Sequence, residues 1–260
     1  MDVIDPRGRL EGLATATGEH PAVWPRSVEH ARLGLLGNGK PNVAAFLELL
    51  SKGLQARGTE TACSLVKPGP TTPAGAERID QLVSSANVVI TGICDGGTAT
   101  SWGIHDAQKL VARGVPVVLV CTDAFMQLAR SLLPPDAKGL RVLTIPHPFS
   151  SLTDREVENL AAAVLPQLLS MIQLGGHATS LDVSSDENQN QPFTHSDDAC
   201  VLSDQLYAAG WSDGLPTFLP TRVRVEGMLR EWRDSPKNTG FPVPPRNGFA
   251  TAETIAANAV

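Results

Sequence analysis

The densest run of reactive side chains in this 260-residue sequence is Cys94-Asp-Gly-Gly-Thr-Ala-Thr-Ser-Trp-Gly-Ile-His-Asp106. Gly96-Gly97 lets a backbone come close to a ligand. Thr98, Thr100 and Ser101 offer hydroxyls. Where such a run opens a helix, the first amides carry partial positive charge and suit a carboxylate or phosphate. Imidazole is the side chain whose ordinary pKa lies nearest neutrality. His105, with Asp95 or Asp106, is therefore the candidate to move a proton. A Gly-rich turn with Ser and Thr caps is also ordinary punctuation between a strand and a helix.

Other segments add to this set. Gly37-Asn-Gly-Lys-Pro-Asn42 carries Asn38 and Lys40, an amide and a cation suited to positioning an anion. His147 stands between two prolines, Pro146 and Pro148, as a site residue or a rigid loop's surface histidine. Cys94 and Cys121 each read as a low-pKa nucleophile or as a small buried hydrophobe. His195 with Asp197 and Asp198 fits a solvated linker and helix N-cap better than a metal set. Asp213 reads as a turn residue. The Gly-x-Gly-x-x-Gly fingerprint is absent, so no dinucleotide site is supported. No metal or cofactor is expected.

The elements that must position these residues follow from periodicity. Short apolar runs at 32–36, 61–66, 87–93, 115–121 and 141–145 read as strands, and the third and fourth lack the alternation of a half-exposed strand. Between and after them, 41–54, 74–86, 101–113, 123–133 and 153–174 carry helical spacing. Pro41 suits a first turn, and Thr153 with Glu156 makes a Thr-x-x-Glu capping box. Strands alternating with helices imply a parallel five-stranded sheet in a three-layer α/β sandwich, flavodoxin-like or Rossmann-like. In such sheets ligands bind beyond the carboxyl ends of the strands, at the switch point. A flavodoxin-like order makes the first and third strands neighbours, and their 37–42 and 94–106 loops then form one crevice.

The organisation around this domain is simpler. Residues 1–30 read as an extended arm, 31–174 as the α/β domain, and 175–196 as a polar linker. Residues 197–260 read as a helical and Pro-rich tail, with helices over 197–209, 221–233 and 251–260. About 65 residues of this kind bury little core alone, so the tail is expected to pack on another surface or subunit.

Composition excludes several classes. Lys and Arg total 21 and Asp and Glu 27, a net charge of −6, which argues against nucleic-acid binding. Hydrophobic residues make up 42%, enough for a core. No apolar run reaches the ~18 residues that would span a bilayer. The opening Met1-Asp-Val-Ile-Asp-Pro-Arg shows no secretory pattern, so a cytoplasmic location is expected. Four cysteines without a Cys-x-x-Cys spacing read as free thiols.

Three segments carry a family resemblance. Leu33-Gly-Leu-Leu-Gly-Asn-Gly-Lys-Pro-Asn42, Val88-Val-Ile-Thr-Gly-Ile-Cys-Asp-Gly-Gly-Thr-Ala-Thr-Ser-Trp-Gly-Ile-His-Asp-Ala107 and His147-Pro148 resemble the UGSC-like (seleno)protein family, over about residues 32–174. That family is named for a selenocysteine- or cysteine-Gly-Ser-Cys motif in the loop after this strand. Laid on that motif, the sequence has Gly96, Gly97, Thr98 and Ala99. Both chalcogen positions are therefore empty of sulfur or selenium, and the motif's redox chemistry is unavailable. Gly210-Trp-Ser-Asp-Gly-Leu-Pro, Pro220-Thr221 and Ala250-Thr-x-x-Thr-Ile-Ala-x-Asn-Ala259 resemble the opening of a second region found in longer relatives. The resemblance thus implies one part of a divided system.

Three functions follow as expectations. One is a subunit of a small-molecule enzyme running elimination, hydration or isomerisation on a small anionic metabolite. Its site would use His105, Asp95 and Asp106 for proton transfer, and Asn38, Lys40, Gly96, Gly97, Thr98, Thr100, Ser101 and His147 for binding. Another is a non-catalytic partner of a catalytic homologue, in a homo- or hetero-oligomer formed through the 197–260 tail. The third is a thiol enzyme using Cys94 or Cys121.

Overall fold

The computed structural model describes residues 21–133, 139–173, 198–208, 218–230, 240–243, 245 and 248–260. The chain divides into two compact units, Ala14–Val183 and one that joins Met1–Leu13 to Ser184–Val260. The expected 175–196 linker, most of the 1–30 arm, His195, Asp197 and Asp213 lie outside the described residues.

The first unit is built on five parallel strands. They are β1 (Arg32–Gly37), β2 (Glu60–Val66), β3 (Val88–Cys94), β4 (Val117–Thr122) and β5 (Leu140–Ile145), in the order β2-β1-β3-β4-β5. The helices between them are α1 (Val43–Gln55), α2 (Ala76–Ser85), α3 (Gly97–Ala112) and α4 (Met126–Leu132), and α5 (Asp154–Gln173) follows β5. The winding reverses between β1 and β3, so this is the flavodoxin-like alternative of the two expected.

Two cores account for the three layers. Leu33, Leu35, Ile90, Val118, Val120 and Leu143 face α1 and α5 on one side of the sheet. Leu36, Val89 and Val117 face α2 and α3 on the other, and Leu119 and Cys121 face α3 and α4. Every residue of β3 and β4 is buried, as their unbroken apolar runs require. At roughly 1.5–3 kcal/mol per buried aliphatic or aromatic side chain, these layers are the main source of the unit's stability.

One boundary differs from expectation in a way that matters. Helix α3 begins at Gly97, four residues before the expected Ser101. The Thr100 amide and hydroxyl both donate to the Gly96 carbonyl, and the Ser101 hydroxyl donates to that of Gly97. These bonds draw the Gly-Thr-Ala-Thr stretch into the helix despite its weak propensity. At the head of α5, Thr153 and Glu156 do meet, with the Thr153 amide and hydroxyl both donating to Glu156 Oε2. The Thr153 amide, followed by its hydroxyl, holds the Glu156 carboxyl below its ordinary range.

In the second unit, α6 (Ala199–Ala208), α7 (Arg222–Leu229) and α8 (Ala252–Ala259) match the expected helical segments. Asp198 caps α6 through the Cys200 amide, and Thr221 caps α7 through the Arg224 amide. The Pro-rich stretch contains an unexpected antiparallel pair, β6 (Phe241–Val243) and β7 (Gly248–Ala250). Val225, Ala256 and Ala257 form a small core between α7 and α8.

Candidate functional site

Three loops at the carboxyl edge of the sheet converge on one carboxylate. The Lys40 ammonium, from the loop after β1, pairs with Asp95 Oδ1 in the loop after β3. The Ser150 hydroxyl, from the loop after β5, donates to Asp95 Oδ2 at 2.8 Å. Asp95 is 4% exposed and Lys40 23%, so the carboxylate is enclosed while the cation meets solvent. Charge-assisted bonds of this kind are about twice as strong as neutral ones. An ammonium has three donors, so pairing with Asp95 leaves others for a ligand.

Neighbouring side chains hold this arrangement. Asn38 is buried; its Nδ2 donates to the Ile93 carbonyl at 2.8 Å, and its Oδ1 accepts the Lys40 amide at 3.3 Å. Asn38 therefore staples the first loop to β3, where the sequence suggested direct contact with a ligand. Asn42 adopts φ 67°, a left-handed conformation Asn tolerates, at the head of α1. Its amide donates to Leu152 at 2.8 Å and to Phe149 at 3.4 Å. Phe149 also meets Phe46 of α1 edge-on, with ring centroids 5.3 Å apart. Such pairs add about 0.5–1.5 kcal/mol beyond burial, and this one anchors the loop that carries Ser150.

The start of α3 borders the cluster. Gly96 precedes the helix in extended conformation, and a Cβ on it would lie 3.5 Å from Lys40 Nζ. Gly97 and Thr98 are exposed there, beside the unpaired amides that any helix start presents. Thr100 is buried, and its hydroxyl, like that of Ser101, is spent on the helix backbone. Of the three expected hydroxyls, Thr98 is the one left facing outward.

Asp106 and His105 do not join this group. Asp106 is 1% exposed, and both its oxygens are engaged, Oδ2 by Lys67 Nζ at 2.8 Å and Oδ1 by the Ala74 amide at 3.0 Å. His105 follows Gly103, whose missing side chain faces Cys94 and Leu119 of the sheet. Two residues along a helix is a turn of about 200°, so His105 lies on the side of α3 away from the sheet. Its ring meets Trp102 edge-on at 5.2 Å. Asp106, expected beside Asp95, is instead committed to Lys67 and the Ala74 amide.

The remaining candidates are also placed. Cys94 and Cys121 are register partners on β3 and β4, both buried. The Cys121 thiol hydrogen-bonded to it, then burial, push the Cys94 thiol well above its ordinary value. Both are core thiols, as the hydrophobic reading had them. His147 is exposed, and its Nδ1 lies 3.3 Å from Thr122 Oγ1 at the end of β4. Sequence reasoning missed Lys67 and Ser150. Lys67 is the first residue after an apolar strand, which was a usable signal; Ser150 gave none.

Among the described residues, no group of three or more His, Cys, Asp and Glu could hold a metal ion, and no helix is long and apolar enough to cross a membrane. No curated protein and no solved structure matches the chain. Residues 2–174 match the UGSC family model, a span that includes Lys40, Asp95 and Ser150, and the chain belongs to the UGSC family.

Proposed function

We propose that this chain is a subunit of an enzyme that binds a small anionic metabolite at the carboxyl edge of its sheet and transfers a proton there. The observation that carries this reading is the convergence of Lys40, Asp95 and Ser150 from three separate loops at the switch point. Lys40 and the first-turn amides of α3 take the ligand's negative charge. Asp95, gripped by Lys40 and Ser150, fixes the direction of the ammonium. Both motif chalcogens are replaced and both central thiols are buried, so the reaction is of elimination, hydration or isomerisation type. The same reading keeps the chain in the cytoplasm, which fractionation of its own cells checks.

Calorimetric titration with malonate, other small carboxylates and inorganic phosphate tests the site. Wild-type protein is expected to bind at least one of them, and Lys40→Met to lose that binding tenfold or more. Equal binding by both proteins, or none across the panel, rejects the proposal.

A second reading, a docking role for the tail, is favoured by the distribution of exposed apolar side chains. Among the described residues, eight large hydrophobics exposed by more than a third lie beyond residue 200, against two before it. Phe218, Met228, Leu229 and Ile255 line a cavity of about 610 Å³ in this unit. A patch of this kind marks an interaction site, here for another subunit. Met228→Asp with Ile255→Asp should lower the native mass of the complex isolated from cells. An unchanged mass would refute the docking role.

A further inference from the structure

We propose that His147 is the proton acceptor of the crevice, held in the one tautomer that leaves its Nε2 lone pair free. The inference rests on the crevice being a ligand site and adds the residue that takes the proton.

The geometry begins at Thr122, the last residue of β4. Its buried hydroxyl donates to the Cys94 carbonyl at 3.3 Å. A hydroxyl has one proton, so towards His147 the same oxygen can only accept. His147 Nδ1 lies 3.3 Å from it and must therefore be the donor. In a neutral imidazole one nitrogen carries the proton and the other accepts, so Nε2 is the acceptor.

Three further contacts fix the ring and its place. Asp123 Oδ1 accepts the His147 backbone amide at 3.1 Å. Phe125 meets the imidazole with centroids 5.7 Å apart. Three residues later Ser150 reaches Asp95, so the segment 147–150 crosses the strand ends from β5 to β3. Thr122 in turn is bonded to Cys94, the residue before Asp95. Adjacent strands lie about 4.8 Å apart, which puts the imidazole one strand from the Lys40–Asp95 pair. An acid held there gives its proton to Nε2: the N–H bond forms, the ligand's bond to hydrogen breaks, and its electron pair stays on the ligand. Among the described contacts, the charged group next to this segment is Asp123, whose carboxylate is spent on the His147 backbone amide and on the Ala124 amide.

The test uses the full chain labelled with ¹⁵N-histidine. Above the imidazole pKa, long-range ¹H–¹⁵N correlation is expected to show His147 protonated at Nδ1. Thr122→Val should release it to the mixture seen for free imidazole. Diethyl pyrocarbonate should then carbethoxylate Nε2 of His147 several-fold faster in the wild type than in Thr122→Val. An Nε2–H tautomer in the wild type, or equal labelling rates, overturns the assignment. Malonate protection of His147 reads the crevice separately. Protection lost with the tautomer intact counts against the ligand site, not the orientation of the ring.

Discussion

Among the described residues, two lysine–aspartate pairs lie close to one edge of one sheet, and they differ in almost everything except composition. Lys67–Asp106 is sealed, with side chains 3% and 1% exposed, and the Ala74 amide saturates the carboxylate. Lys40–Asp95 is open at its cationic end. A buried pair pays a desolvation penalty that its attraction barely offsets, and it resists loss of either member. An open pair is weaker but has donors to give. The first pins α3 and the head of α2 to the end of β2; the second leaves its ammonium open to solvent.

The largest expected effect comes from breaking the sealed pair. Lys67→Met should destabilise the protein by about 3–5 kcal/mol, because an uncompensated carboxylate stays buried. Lys67→Met with Asp106→Leu should recover most of that loss, as apolar replacement of both partners usually does. Chemical denaturation of both variants measures it; equal losses would mean the pair is not a closed unit.

Lys40→Met should act the other way round. Ser150 still serves Asp95, so the stability cost should stay below about 2 kcal/mol, near that of one lost charged hydrogen bond. Binding of the anionic probe is what disappears. A loss matching that of Lys67→Met would erase the distinction between the pairs.

The smallest effect concerns Cys94, whose thiol feels both Lys67 and Asp95. Its pKa in the folded protein is raised above the ordinary 9.0. The resulting stabilisation is complete below that value and is lost as pH rises from it through the folded pKa. Cys94→Ala should flatten the fall in stability above pH 9, and iodoacetamide at neutral pH should label exposed Cys200 long before Cys94. Fast labelling of Cys94 would show the sealed side to be open.

The same contrast explains what could be read from residue order. The strands were legible because short apolar, β-branched runs are set off by turn and polar residues, as Val115–Cys121 is by Gly114 before it and Thr122-Asp123 after it. The start of α3 was not, because Gly97, Thr98 and Thr100 are poor helix formers rescued by bonds to Gly96 and Gly97. The β6–β7 pair hid behind Pro242, a residue tolerated at a sheet edge but discouraging in sequence. Lys40 and Asp95 stood out because both follow strands at the switch point. Lys67 and Ser150 matter through partners 39 and 55 residues away, a relation that no local pattern encodes.

The two glycines at the start of α3 have a final consequence. At Gly96 the backbone is extended at φ −169°, a conformation open to any residue, and an added Cβ would meet Lys40 Nζ at 3.5 Å. At Gly97 it would meet nothing within 4 Å. Neither position is glycine because the fold demands it. A side chain introduced by Gly96→Cys would therefore enter without displacing the backbone, its Cβ beside the Lys40 ammonium and the start of α3.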